Sequence, residues 1–125
     1  PLGRGFLTGA VTGPQSLDAR DYRNLDPRMT GDALAHNLAI VAAVREGATA
    51  HEASAAQVAL AWVLSRGEDI VPIPGTKQAS HLEDNAGALR LALTAPQLAR
   101  LDAAGAAVTG ARYPPALMGA IHSEV

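Results

Sequence analysis

Cysteine is absent from this chain of 125 residues. Its absence excludes a disulfide framework, a thiolate metal site and a cysteine nucleophile, and is compatible with a reducing cytosol. Aromatic residues make up only 3% of the chain, while 48% is hydrophobic and much of that is alanine. Any core must therefore be built from small aliphatic side chains in closely approaching helices. Basic excess is also missing: ten Lys and Arg stand against twelve Asp and Glu, a net charge of −2. That balance argues against nucleic acid or an anionic membrane as the main partner. No apolar run reaches the roughly 20 residues of a membrane span, and the N-terminus lacks the charged and apolar regions of a signal peptide. One domain of ordinary size, located in the cytoplasm, is the expectation.

Lysine occurs once, at Lys77, and the stretch around it is the most informative in the chain. In DIVPIPGTKQASHLEDN, Asp69 to Asn85, a short apolar run from Ile70 to Ile73 is broken by Pro74, Gly75 and Thr76. Helical spacing follows, which predicts strand, tight turn and helix start. Amides at a helix N-terminus have no partners within the helix and carry partial positive charge, so the turn suits a phosphate. On chemistry alone, an ordinary solvated lysine in a βα loop is the simpler reading of Lys77. Gly3-Arg4-Gly5 is a second turn in which two glycines permit close backbone approach. A dinucleotide G-x-G-x-x-G would need a third glycine where Thr8 stands, so a plain turn is the simpler reading there.

Ala10 to Met29 is rich in Gly, Pro, Asp, Arg and Asn and reads as a long surface loop. Asp32 is the expected N-cap of an amphipathic helix running to about Ala53. His36 and His51 on or near it are spaced too widely for a metal face and read as surface or capping residues. Ser54-Ala55-Ala56-Gln57 has the form of a capping box and opens a helix that is apolar on most sides, with Trp62 in the core. Ser65-Arg66-Gly67 ends it, and a strand from Ile70, buried on both faces, is expected next. Gln78 or Ser80 should cap the following helix, with Leu82 and Leu89 facing inward. Thr94-Ala95-Pro96-Gln97 is a second capping box, starting a helix to about Ala106. A glycine- and proline-bearing tail follows from Ala107 to Val125. No nucleophile and base pair, carboxylate pair or metal cluster emerges, so neither a catalytic nor a metal-ligating residue is expected.

IPGTK followed by HLEDN, together with the opening PLGRGFLTG, resembles the C-terminal half of an aldo-keto reductase, and the likeness extends through nearly the whole chain. It implies an α/β fold: the C-terminal part of a (β/α)8 TIM barrel, mostly helical, with about one complete barrel strand. A whole barrel takes roughly 250 residues, so this chain alone should not close one. The implied layout is a cofactor loop and surface loop over 1–31, helices with the last strand and its helix over 32–93, and a terminal helix and tail over 94–125.

The resemblance implies NADP(H) as cofactor. Leu2, Gly3 and Gly5, with Arg4 beside them, would line its pyrophosphate. Gly75, Thr76, Lys77 and His81 would surround the 2′-phosphate, and Asp84 and Asn85 would bond the adenine edge. Many relatives carry glutamate in place of Asp84, and arginine or glutamine in place of His81. Arg20, Tyr22, Arg23 and Arg28 would sit in a loop folding over cofactor and substrate, and Tyr113 and Met118 near the substrate mouth. The family reduces aldehydes and ketones by hydride transfer, with a tyrosine acid supported by lysine, aspartate and histidine. That tetrad belongs to the N-terminal half. A carbonyl substrate is thus expected only with that half present, and the piece is expected to be stable only as part of a longer chain, beside a complementary half or as a homo-oligomer. The opening on Pro1, in a turn that should follow a strand, fits a fragment, a processed piece or an incomplete gene model. Methionine removal or trimming is the alternative for the missing methionine alone. The other functional reading is a non-catalytic nucleotide-binding or interaction module derived from the same fold.

Overall fold

The structure, a computed structural model, describes residues 1–119; residues 120–125 of the tail lie outside the described residues. Four helices of more than two turns carry the fold: α1 (Gly31–Ala50), α2 (Ala55–Leu64), α3 (Ala79–Gly87) and α4 (Ala95–Ala106). A single turn of helix, α5 (Pro115–Met118), follows in the tail. The long helix α1 packs against both α2 and α4, and α2 packs against α3. Along α1 the buried residues are Leu34, Asn37, Val41, Val44 and Ala48, one stripe at helical spacing. Val58 and Ala59 of α2 and Leu101 of α4 close on its second half. Phe6, Val11 and Met29 close on its first half.

Both capping boxes form. Ser54 Oγ accepts from Gln57 N–H while Gln57 Oε1 accepts from Ser54 N–H, and Thr94 and Gln97 repeat the arrangement at α4. Elsewhere local expectation gives way. Helix α1 starts two residues early, at Gly31, with Thr30 in the cap position, so Asp32 lies inside the first turn and does not cap. The helix stops at Ala50 rather than Ala53. The stretch from Ala10 to Met29 is not a plain surface loop: Val11 and Met29 are core, and 3-10 turns at Pro14–Ser16 and Tyr22–Leu25 bring the chain back to the body.

The barrel strand is the largest correction. No strand is found among the described residues, and 70–77 has no regular secondary structure. A strand persists only in a ladder with a neighbour, and the described residues supply none. Val71 and Ile73 are 78% and 82% exposed, so the apolar run that reads as doubly buried faces solvent. Leu82 on α3 and Leu89 in the 3-10 turn after it (Ala88–Arg90), expected to face inward, are 60% and 75% exposed for the same reason: α2 packs on one side and no sheet covers the other among the described residues. Trp62 sits at the margin of the core, where its Nε1–H donates to Asp102 Oδ1 at 2.8 Å and Arg66 stacks on its ring.

A buried polar residue fastens the tail to α1. Asn37 is 1% exposed. Its Nδ2 donates to Arg28 O and Thr109 O, both at 2.9 Å, and its Oδ1 accepts from Thr109 N–H at 2.9 Å. Replacement by leucine orphans these backbone groups, so Asn37→Leu should lower stability by on the order of 1–3 kcal/mol, read as a fall in thermal midpoint. The last residue of α3 carries a second constraint. A Cβ at Gly87 would collide with Gln57 Nε2, whereas one at Gly105 would meet nothing within 4 Å. Gly87→Ala should push Gln57 Nε2 off the Asp84 carbonyl and destabilise by about 0.5–1.5 kcal/mol, and Gly105→Ala, in an open helical position, should stabilise by about 0.5–1 kcal/mol. Equal effects of the two in denaturant titration would show that the close approach carries no weight.

Candidate functional site

A cleft of about 680 Å³ opens where the N-terminal turn, the start of α2, the 74–76 turn and α3 meet. The turn comes first. Gly3, Arg4 and Gly5 all have left-handed backbones, with φ of 58°, 57° and 86°. Two glycines accept this without cost, while at Arg4 it is held by the side chain. The amides of Leu2, Gly3 and Arg4 have no acceptor among the described residues, whereas the next three bond back to Leu2 O and Gly3 O. Successive free amides of this kind form a concavity suited to an anion.

The second set of free amides lies at α3. Its cap position is Gln78, as one reading of the sequence expects, but the side chain makes no capping bond. The amides of Ala79, Ser80 and His81 find no acceptor among the described residues. Thr76 Oγ1 takes the Gln78 N–H at 3.1 Å, and Gly75 has open space where a Cβ would stand. Helices α2 and α4 begin in capping boxes, whereas α3 begins with bare amides and the partial positive charge of its dipole.

Eight of the ten residues singled out in the sequence line this cleft: Leu2, Arg4, Gly5, Gly75, Thr76, His81, Asp84 and Asn85. Gly3 and Lys77 do not. Lys77 is exposed between Thr76 and α3 and makes no ion pair among the described residues. Asp84 is held from two sides: Ser54 Oγ donates to its Oδ2 at 2.7 Å, and Gln57 Nε2 donates to its carbonyl at 2.8 Å. Thr8 and Ser54 also line the cleft. Neither was singled out as a site residue. The capping box reveals Ser54 as a cap, but nothing in its local sequence points to an acceptor thirty residues away.

Arg4 faces elsewhere with its side chain. Its guanidinium pairs with buried Asp26, donates to Arg112 O at 3.1 and 3.2 Å, and lies 4.6 Å from the centre of the Tyr113 ring. The Asp26 contact raises its pKa further above the ordinary arginine value. Arg4, Arg28 and Tyr113 line a second cavity of about 570 Å³ with Trp62 and Asn37, and contact with Arg4, then the charge of Arg112, lowers the Tyr113 phenol. Arg28 donates to Gly110 O at 3.1 Å. Arg20 and Tyr22 are exposed and line neither cavity, and neither does Met118. His36 bonds Ala107 O and His51 bonds Gln97 Oε1. No cluster of three or more metal-ligating side chains occurs among the described residues, and no helix there is long and apolar enough to cross a membrane.

Arg23 staples the loop to the turn. Its guanidinium pairs with Asp21 and donates to Arg4 O at 3.1 Å. Hydrogen bonds from the Arg23 side chain, then its amide, pull the Asp21 carboxyl from 3.8 down to about 2. Because the folded value lies below the unfolded one, the stabilisation is present above pH 3.8 and is lost as pH falls through about 2. Carboxyl NMR should place the Asp21 midpoint near 2 in the native chain and back toward 3.8 in Arg23→Ala; an unchanged midpoint in the variant would remove Arg23 as the cause.

Comparison with known proteins converges on one group. The profile of the Aldo/keto reductase family matches residues 1–106. The aldo-keto reductase yakc [NADP(+)] of Schizosaccharomyces pombe is 44% identical over 117 residues, which are 92% of this chain and 34% of that protein. The aldo-keto reductase str7 of Strobilurus tenacellus is 38% identical over 99 residues, 79% of this chain and 30% of that protein. The chain thus spans about a third of the length of these curated relatives. Their family is one of (β/α)8 barrels, of which the described residues carry helices and connecting turns. With the matched region covering the free-amide turn, the 74–76 turn and α3 alike, the chain belongs to the aldo/keto reductase family.

Proposed function

We propose that this chain provides the NADP(H)-binding face of an aldo-keto reductase that acts on an aldehyde or ketone. The observation that carries this reading is the meeting of two sets of free amides: α3 opens without a side-chain cap, as α1 also does, but beside a cleft whose opposite contribution is a turn with three free amides. The residues present fit a dinucleotide. A volume of about 680 Å³ is in the range of ligand clefts, the free amides suit phosphate oxygens, and Asp84 offers an acceptor to a base. Arg4 contributes through its main chain, since its guanidinium is already matched by Asp26 and Arg112 O.

When bound, the cofactor supplies a hydride for the carbonyl carbon. The residues of this chain orient and hold. Leu2 to Gly5 receive the pyrophosphate on main-chain donors. Thr76, Lys77 and His81 surround the 2′-phosphate, and Asp84 and Asn85 take the adenine edge. Proton donation to the reduced carbonyl belongs to residues outside this chain, so substrate turnover requires a complementary N-terminal half, supplied on the same polypeptide or by a partner.

The charge of Lys77 is the feature most open to test. It is exposed, so Lys77→Ala leaves the fold alone, and a charge-assisted bond to a phosphate is worth about 1.5–3 kcal/mol. Fluorescence titration should show NADPH binding weakened roughly tenfold or more in Lys77→Ala, with NADH affinity unchanged. Equal losses for both cofactors, or no NADPH binding by the native chain, would overturn this assignment.

A further inference from the structure

We propose that Ser54 is a positioning residue that sets base selectivity through Asp84, favouring a 6-aminopurine over a 6-oxopurine. The inference rests on the nucleotide reading of the cleft and deepens it. An N-cap serine needs only a lone pair for its helix, and Ser54 provides that to Gln57 N–H at 3.1 Å. A hydroxyl has a single proton, and that of Ser54 is directed out of its own helix to Asp84 Oδ2 on α3, at 2.7 Å. Gln57 adds the second grip on the Asp84 carbonyl. Gly87 permits the close approach, because a Cβ there would strike Gln57 Nε2.

The consequence is a carboxylate with fixed orientation and one committed oxygen. Asp84 Oδ1 takes no hydrogen bond among the described residues, and Asp84 lines the cleft. A carboxylate with both oxygens free can accept two donors side by side, as from N1–H and the 2-amine of guanine. One with Oδ2 occupied matches a single donor, as the 6-amine of adenine provides. A 6-oxo group in the same place sets acceptor against acceptor, and the Ser54 bond prevents the carboxylate from turning toward N1–H. Releasing that bond lets the carboxylate rotate, so discrimination is lost while the cleft remains.

The experiment compares NADPH with its hypoxanthine analogue, in which the 6-amine is replaced by an oxo group, by fluorescence titration of the full chain. The native chain should favour NADPH by at least about tenfold, the scale of a charge-assisted hydrogen bond. Ser54→Ala should bring the ratio of the two dissociation constants to within about threefold of unity. Ser54→Gly, which retains good capping, should do the same, and so keeps the test decisive if the alanine variant fails to fold. Ser54→Thr, which keeps both the cap and the donated proton, should retain the native ratio. A native ratio near one would overturn the proposal, as would an equal weakening of both ligands in the alanine and glycine variants, the mark of a purely structural cap. Absence of NADPH binding by the native chain would instead overturn the nucleotide reading on which it rests.

Discussion

The Ser54 and Gln57 pair is the point on which the site depends, because it closes one helix and fixes another. Each residue uses one group within α2 and another across to α3: a lone pair and a proton for Ser54, an amide oxygen and an amide nitrogen for Gln57. Few other polar ties hold α3 to the body, and most of its apolar surface is exposed. The position of the cleft wall therefore follows from hydrogen-bond geometry more than from burial. That suits a binding surface, since directional bonds define an orientation that apolar contact alone leaves loose.

The opposite part of the cleft depends on Arg4. Its left-handed backbone bends the turn and leaves amides free, and its guanidinium ties that strained turn to Asp26 and Arg112. Asn37 fastens Thr109 and Arg28 to α1 nearby. The turn, the long loop and the tail, separated by up to 108 residues, are thus held in one polar network around α1. The Arg4 side chain, expected from the resemblance to neighbour a cofactor, is instead engaged by Asp26 and Arg112, and only its main chain faces the cleft.

Much of the local architecture was legible in the chain. Both capping boxes, the glycine-rich turn, the end of α4 and the small-residue character of the helical core follow from short-range chemistry, which acts over three or four residues and is recorded in adjacent letters. The run from Ile70 to Ile73 is apolar and turn-bounded, as its letters show, but it forms no buried strand among the described residues. Hydrophobic runs state what a segment can bury, not whether a partner is present to bury it. Leu82 and Leu89 failed for that reason, and Asp32 failed by a register shift of the helix start that local preference does not resolve.

What the sequence determined by itself was the family likeness, the absence of thiol chemistry, and the place of the two glycine-bearing turns. Only the tertiary structure decided which groups stand free: that α3 lacks a cap, that the Arg4 charge is matched by Asp26, and that the Ser54 proton goes to Asp84. Local sequence specifies donors and acceptors, but their pairing across twenty or thirty residues depends on how helices approach, and that is settled by packing.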